Sequence, residues 1–339
     1  MVLPQAKQLS ALEAPVIDLS PLGGGTIGGR EVLARRIVEA CREIGFFYIV
    51  NHGVPPDLVK SMFASAEEFF SLPLEEKMEI SMTLSRDYRG YMPIRMIGDG
   101  AGLKGSLYES FHMWPDCSSQ AVINAGSVRS KSPNVWPRRM PQLQGTMLAY
   151  AGQIDRIAVE LATLFALGLD LPAGAFLKFF TDPIVLLRFL HYPAQEPTDF
   201  EDRISLRPHT DSGGFTVLAQ DNLGGLEIQT RGGEWIAVPP VQDSFVINLG
   251  EMMKVWSDGM LMATPHRVVN RQGRPRYSIP FFYYADADAP LQPIIKNPNL
   301  GNEPVFHSSL ARNEEITAGE HLARMHRKIW PSADVQQTT

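Results

Sequence analysis

The sequence contains few cysteines: of its 339 residues, only Cys41 and Cys117 carry a thiol. Neither has a second Cys or a His at the spacing of a zinc site, and two thiols in a chain of this length do not suggest the disulfide framework of a small secreted protein. Cys41 continues the apolar pattern of a helix, and free cysteine is among the most buried residue types. The cysteines therefore predict neither a disulfide scaffold nor a metal site, and Cys41 is expected in the core.

Long apolar runs and basic runs are also missing. No stretch of about 18 apolar residues occurs, so no membrane-spanning helix is predicted. The first 15 residues contain no apolar segment typical of a signal peptide. The formal net charge is −6 and Lys and Arg form no cluster, which argues against a nucleic-acid partner. From these absences we predict a cytoplasmic protein that binds neither membrane nor nucleic acid, with a monomer as the default oligomeric state.

The N-terminal half is predicted to be mainly helical. Apolar residues recur at helical spacing over 30–43, 56–71 and 141–167, and the last of these patterns is the longest in the chain. The compact apolar run Phe46–Val50 between the first two helices is typical of a buried strand, and short strands are also predicted at 15–19 and 108–113. A last helical pattern covers 318–329 near the end of the chain.

The C-terminal half changes to short strands. Runs rich in β-branched and aromatic residues, separated by turn residues, occur at 184–192, 215–219, 226–229, 235–238, 244–249, 266–270 and 277–283. Short strands at this spacing favour an antiparallel sandwich or barrel. We therefore predict a mainly β fold with α elements, in which an N-terminal helical layer covers a β core and the longest helix backs the sheet.

Three residues of the β region form a candidate metal site. In extended chain, residues i and i+2 project to one face, so His209 and Asp211 can share an ion while Thr210 points away. A His-x-Asp pair alone is common by chance, but this pair lies between two predicted strands, and His266 begins a later strand. Two imidazoles and one carboxylate bind a divalent metal and leave positions open, which is the ligand set of non-haem Fe(II) oxygenases.

Arg276 and Ser278 form a candidate carboxylate site, which begins ten residues after His266. They too are i and i+2 on a predicted strand, so a guanidinium and a hydroxyl face the same way. Arginine binds a carboxylate through two parallel hydrogen bonds, and the hydroxyl adds a third donor. A local Asp or Glu could also pair with Arg276. Since the strand is otherwise apolar, an inward Arg276 would need an anionic partner, which a small ligand could supply.

These motifs, in this order and spacing, resemble those of the plant-type Fe(II)- and 2-oxoglutarate-dependent dioxygenases, the superfamily that includes isopenicillin N synthase. The resemblance covers most of the chain. Beyond the metal and carboxylate motifs, it rests on segments at 16–19, 45–54, 190–193, 224–228, 248–250 and 256–259. Each motif is weak alone, and together they are specific.

The resemblance implies a double-stranded β-helix, or jelly roll, within a single oxygenase domain, 1–339. It further implies an N-terminal dioxygenase-type region at 14–117, a β core for Fe(II) and 2-oxoglutarate at 180–290, and a C-terminal helix at 317–330.

It also implies an activity. The three candidate ligands would bind Fe(II), and 2-oxoglutarate would chelate the iron while its C5 carboxylate binds Arg276 and Ser278 with help from the Tyr192 hydroxyl. With dioxygen, such an enzyme oxidises, most commonly hydroxylates, an unactivated C–H bond of a small organic molecule and releases succinate and carbon dioxide. Natural-product metabolism is the expected setting.

Four residues are candidates for substrate contact. Arg188 lies in an apolar strand, four residues before Tyr192 and on the same face as that residue. Phe282 lies six residues after Arg276 and shares its face of the strand. Phe111 is a third candidate. Tyr91 is the fourth, because it belongs with segment 96–105 to a glycine-rich loop that could form a lid.

Two features leave alternatives open. Many plant-type members have Asn where this chain has Leu190, and the isopenicillin N synthase type shares Arg-x-Ser without using 2-oxoglutarate. An oxidase of the same fold that needs no 2-oxoglutarate is therefore an alternative. A zinc hydrolase and a non-catalytic binding protein are the others. His321, in the predicted C-terminal helix, is expected to be solvated.

Overall fold

The computed structural model describes residues 7–8, 14–23, 27–85, 88–94, 106–114, 133–195, 204–299 and 315–329. Within these ranges the strands form two sheets. The larger sheet has eight strands, in sheet order β2 (Val16–Asp18), β3 (Phe46–Val50), β11 (Phe245–Leu249), β8 (Phe215–Gln220), β13 (Arg276–Tyr283), β6 (Val185–Tyr192), β5 (Glu109–Met113) and β4 (Gly90–Met92). The smaller sheet has five, in sheet order β1 (Lys7–Gln8), β10 (Trp235–Ala237), β9 (Leu226–Gln229), β12 (His266–Val268) and β7 (Leu206–His209).

The two sheets face each other across an apolar layer. This layer contains side chains of both sheets, including Phe46 and Leu190 from the larger sheet and Leu226, Ile228 and Val268 from the smaller one. The central strand β13 is antiparallel to both of its neighbours, β6 and β8. Two facing, mainly antiparallel sheets are the arrangement of a jelly roll, so the predicted fold is confirmed.

The described helices are α1 (Ile27–Glu43), α2 (Pro56–Ser71), α3 (Leu74–Met78), α4 (Leu143–Gly168), α5 (Glu251–Trp256) and α6 (Ala318–Ile329). Of these, α1, α2 and α4 contact strands of the larger sheet on its outer face. The longest helix, α4, contacts α1, α2 and β13. It is the helix that was predicted to back the sheet. Its last residue, Gly168, allows close packing, because a Cβ there would overlap the carbonyl oxygen of Ala34 in α1.

Each strand of the larger sheet therefore separates two apolar layers. On β13, Ile279 and Phe281 are fully buried against the helical layer, whereas Ser278 and Phe282 face the space between the sheets. This period-2 alternation is the expected geometry of a strand. It determines which side chains of β13 and β6 can reach the site described below.

Three strands lie outside the predicted set. The strands β1 and β4 have only two and three residues, and β4 begins with Gly90, so neither carries a readable apolar pattern. The third, β7, has the polar sequence Leu-Arg-Pro-His and ends on His209. Cys41 is buried in α1 as predicted, and Cys117 lies outside the described residues. No helix in the described ranges is long and apolar enough to cross a membrane.

Candidate active site

Two adjacent strands of the smaller sheet bring the candidate metal ligands together. His266 at the start of β12 pairs in register with His209 at the end of β7. Asp211 lies two positions after His209 in the chain. The Nε2 atoms of His209 and His266 lie 3.8 and 3.7 Å from Oδ1 of Asp211. One possible ligand atom from each of the three residues lies within 4.8 Å of the others, so the three can share one ion.

Backbone carbonyls orient both imidazoles. Nδ1 of His209 lies 2.8 Å from the carbonyl oxygen of Arg207, and Nδ1 of His266 lies 3.1 Å from that of Thr264. An N–H at Nδ1 that donates to these oxygens leaves the Nε2 lone pairs free for a metal. Burial, and next the neighbouring His266, lower the pKa of His209 to about 4, so the imidazole is neutral and ready to bind.

Two polar residues orient Asp211. The Thr216 hydroxyl (2.5 Å) and the Asn248 amide (2.7 Å) both donate to Oδ2, which leaves Oδ1 facing the two imidazoles. Burial alone would raise the pKa of Asp211, but attraction to His266 and His209 and these two hydrogen bonds outweigh burial and hold the pKa below its usual value. The carboxylate is therefore charged and directed towards the metal position.

A buried arginine with one unpaired nitrogen lies in the same cavity. Arg276 is 1% exposed; its Nε donates to the carbonyl oxygen of Gly224 and its Nη2 to Oε1 of Gln220 at 3.2 Å. Its Nη1 is buried and has no hydrogen-bond partner among the described residues. A buried cation with an unused donor is costly unless a ligand supplies an acceptor. The arrangement fits the carboxylate of a small ligand.

Ser278 and Tyr192 complete this anion site. Tyr192 is the register partner of Arg276 across β6 and β13, and the Arg276 guanidinium carbon lies 5.0 Å from the Tyr192 ring centre. Ser278 and Arg276 lie close enough to the Tyr192 hydroxyl to lower its pKa. Burial raises the pKa of Tyr192, and the Arg276 charge offsets the rise only in part, so the phenol keeps its proton and can donate.

One cavity of about 440 Å³, including the solvent at its mouth, connects both sets of residues. Its remaining walls are largely apolar and come from both sheets: Phe46, Leu190, Leu206, Leu218, Leu226, Val268, Pro280 and Phe282. A cleft with largely apolar walls and a few converging polar groups is typical of a small-molecule site.

Family profiles and relatives agree with this geometry. Residues 14–139 match the N-terminal region of non-haem dioxygenases in morphine synthesis, and residues 181–285 match the 2OG-Fe(II) oxygenase superfamily. Homoarginine-6-hydroxylase 2-ODD-233 of Oryza sativa subsp. japonica is 32% identical over 324 residues, which cover 91% of this chain and 95% of the relative. The chain belongs to the 2OG-Fe(II) oxygenase superfamily.

Further relatives are similar over most of their length. The 2-oxoglutarate-Fe(II) type oxidoreductase hxnY of Emericella nidulans is 31% identical, covering 86% of this chain and 85% of the relative. A Neurospora crassa protein solved in complex with alpha-KG and thymine has a TM-score of 0.78 and 26% identity, covering 92% and 96% of the two chains. The rice dioxygenase for auxin oxidation has a TM-score of 0.68 and 30% identity, covering 93% and 95%.

Membership in this superfamily confirms the predicted activity. The protein is an oxidoreductase, a 2-oxoglutarate-dependent dioxygenase that uses Fe(II), 2-oxoglutarate and dioxygen. Relatives are named as a 2-oxoglutarate-Fe(II) type oxidoreductase and a 2-oxoglutarate-dependent dioxygenase, which favours this activity over the zinc hydrolase, the non-catalytic binding protein and the oxidase without 2-oxoglutarate.

The structure places one of the four substrate candidates in the cavity wall and a second beside that residue. Phe282 is the one of the four that lines the cavity. Arg188 lies on β6 on the same face as Leu190 and Tyr192, and its guanidinium carbon is 5.1 Å from the Phe282 ring centre. The other two candidates lie further away, on the other side of the sheet.

Phe111 and Tyr91 face the opposite side of the sheet. They are register partners on β5 and β4, so they share a face, and both are buried in the layer that packs against the helices. Phe111 contacts Phe69 of α2 (ring centres 4.8 Å apart), and the Tyr91 hydroxyl donates to Glu109 at 2.5 Å. Neither residue lines the cavity in this arrangement, and segment 96–105 of the predicted lid lies outside the described residues.

Sequence reasoning missed the residues that hold Asp211. Thr216 on β8 and Asn248 on β11 are register partners, so the sheet carries both donors to the same carboxylate oxygen. The available signal was Asn248 itself, a polar residue in an otherwise apolar strand. A buried amide requires a partner, and a metal-ligating carboxylate is a suitable one.

Proposed function

We propose that this chain hydroxylates an unactivated C–H bond of a small organic molecule, with His209, Asp211 and His266 as the Fe(II) ligands. The observation that carries the proposal is the shared cavity: three converging ligand atoms and the unpaired Nη1 of Arg276 open into one space. The donor set also fits Fe(II), which combines readily with imidazole and carboxylate.

Each group has a defined task in this proposal. The imidazoles of His209 and His266 and the charged Asp211 hold the metal, and Arg276, Ser278 and Tyr192 hold the C5 carboxylate of 2-oxoglutarate through donors at fixed positions. When bound, Fe(II) supplies the oxidising chemistry, in which dioxygen converts 2-oxoglutarate to succinate and carbon dioxide and delivers one oxygen atom to the substrate C–H bond. The apolar walls keep water away from the reacting groups.

Succinate formation tests this assignment. Wild-type protein with Fe(II), 2-oxoglutarate and air is expected to release succinate, whereas Asp211→Ala is expected to release none above the protein-free background. Asp288→Ala, a change of an exposed acidic residue outside the cavity, serves as the matched control and should retain wild-type release. Equal succinate release by Asp211→Ala and wild type would contradict the metal assignment.

We further propose that the substrate carries a carboxylate or carbonyl oxygen that binds Arg188. The Nε of this residue is buried and has no hydrogen-bond partner among the described residues, while the guanidinium stacks on Phe282 at the cavity wall. The Arg188 charge also acts on the metal ligand His209. Burial lowers the pKa of His209 most and His266 comes next, and the positive charge of Arg188 lowers it further. A substrate oxyanion would satisfy this cation close to the metal.

A stimulation screen tests the role of Arg188. Candidate acids and their neutral alcohol analogues are added in pairs, and succinate release above the substrate-free rate is measured. The active acid should outperform its alcohol in wild type, and Arg188→Met should lose this preference while keeping the substrate-free rate and the 2-oxoglutarate KM. An unchanged substrate KM in Arg188→Met would contradict the proposal.

We also propose the division into regions 14–117 and 180–290, a monomeric state and a cytoplasmic location. Light scattering would test the second and cell fractionation the third.

A further inference from the structure

The C-terminal helix contacts a buried carboxylate behind the candidate metal ligands. His321, in the first turn of α6, is 0% exposed, so its expected solvation is wrong. Its Nε2 lies 3.5 Å from Oε2 of Glu251, the first residue of α5, whose side chain is 2% exposed. Neither residue lines the cavity or belongs to the three metal ligands. Two ionisable side chains buried this deeply are costly unless their partners compensate.

The other oxygen of the same carboxylate holds the turn between the ligands. Oε1 of Glu251 accepts a hydrogen bond from the Thr210 hydroxyl at 2.6 Å. Thr210 lies between His209 and Asp211 and points away from the metal position, as predicted from its place in the chain. A short hydrogen bond to a charged acceptor is among the stronger ones.

The backbone of Glu251 also hydrogen-bonds to the turn that carries the metal ligands. Its N–H donates to the carbonyl oxygen of Asp211 at 2.8 Å, and the next N–H, that of Met252, donates to the carbonyl oxygen of Gly213 at 3.0 Å. Gly250 permits this contact, because a Cβ there would overlap the Gly213 carbonyl oxygen and lie 3.0 Å from that of Asp211. Glu251 thus fixes the ligand turn through both its side chain and its backbone.

The start of α6 is itself fixed to the core, so His321 has a defined position. Thr317 and Glu320 form a reciprocal capping box, with hydrogen bonds of 2.9 and 3.3 Å. The N–H groups of Ala318 and Gly319 donate to carbonyl oxygens of the segment that follows β13, both at 2.9 Å. These hydrogen bonds hold the first turn of α6, and His321 with it, in place against the core.

We propose that Glu251 and His321 are positioning residues, through which the C-terminal helix sets the metal affinity of a site that it does not touch. The proposal rests on the proposed function, since it takes His209 and Asp211 as metal ligands. Thr210 transmits the support, because its hydroxyl joins the carboxylate to the turn. Outer partners of this kind typically change metal affinity about 10–100-fold when they are removed.

Binding of Co(II) alone to the metal-free full-length protein provides the test, because its visible spectrum reports ligand geometry and needs no turnover. Thr210→Val, which keeps the shape but removes the donor, should weaken Co(II) binding about 10-fold, whereas Thr210→Ser should restore wild-type affinity. His321→Leu should weaken it about 3-fold and change the visible spectrum. The double variant Thr210→Val/His321→Leu should bind about as weakly as Thr210→Val, since both act through one carboxylate.

A stability control separates positioning from a general loss of folding. Val38→Ala, a buried change in α1, should lower the unfolding midpoint without changing Co(II) affinity or spectrum. Wild-type Co(II) affinity in Thr210→Val and His321→Leu, with Asp211→Ala unable to bind, would overturn the positioning role while leaving the metal assignment intact. Wild-type binding by Asp211→Ala would instead overturn the proposed function.

Discussion

Replacing Arg276 by Met is expected to weaken 2-oxoglutarate binding about 100-fold. The side chain is 1% exposed and two of its nitrogens already bond to Gly224 and Gln220, so Nη1 is the donor left for a ligand carboxylate. A hydrogen bond to a charged group contributes about 1.5–3 kcal/mol, and the variant also leaves the bound carboxylate without its counter-charge. A loss of about 3 kcal/mol corresponds to roughly a 100-fold change in Kd.

The chemistry of the guanidinium predicts a graded series. Arg276→Lys keeps a positive charge but loses the planar fork, so its 2-oxoglutarate affinity should fall between wild type and Arg276→Met. Arg188→Met is the matched control, because Arg188 lies in the same sheet but is assigned to the substrate. Its 2-oxoglutarate affinity should equal that of wild type.

Anaerobic titration with 2-oxoglutarate at saturating Fe(II), followed by the visible charge-transfer absorbance, gives the Kd for each variant. Co(II) affinity without 2-oxoglutarate should be unchanged in Arg276→Met, which separates loss of the carboxylate site from loss of the metal site. A Kd for Arg276→Met within about twofold of wild type would refute the reasoning. A 100-fold loss in Arg188→Met instead would show that the two arginines have been exchanged.

Further predictions concern acid stability and the two faces of the sheet. Glu109 accepts from Lys77 (2.9 Å) and Tyr91 and contacts His191 (2.7 Å), so Glu109→Gln should cost about 3 kcal/mol of unfolding free energy at pH 7. Burial would raise the Glu109 pKa, but these partners lower it below the ordinary 4.5. Its stabilisation is therefore present above pH 4.5 and lost as the pH falls through the lowered value, and urea unfolding of Glu109→Gln should depend less on pH there. Phe282→Leu should raise the substrate KM with little change in the unfolding midpoint. Phe111→Leu should instead lower the unfolding free energy by about 1–2 kcal/mol and leave the substrate KM unchanged. Coupled succinate assays measure the KM, and thermal melts measure the stability.

The parts of the site that follow from strand periodicity could be predicted from the sequence. His209 and Asp211, and likewise Arg276 and Ser278, are two positions apart in the sequence, so the alternation of side chains along a strand places each pair on one face. Arg276 and Ser278 also lie on β13, which has the alternation that the rule requires. The chemistry of the residue types then indicated a metal and a carboxylate.

The parts that depend on long-range packing could not be predicted in this way. All five residues of β5 are buried, so its pattern gives no sign that Phe111 faces the helices. His321 meets Glu251 only because α6 folds back over a distant segment, and the polar pattern of that helix suggests solvent. A strand buried on both faces lacks the amphipathic signal on which sequence reasoning depends.

The central claim is that His209, Asp211 and His266 bind one Fe(II) to which 2-oxoglutarate then binds. Anaerobic addition of Fe(II) and then 2-oxoglutarate to the full-length protein tests it most directly. The account predicts a visible charge-transfer band that saturates at one Fe(II) per chain and is absent in Asp211→Ala. No band in wild type, or a band of equal intensity in Asp211→Ala, would contradict it.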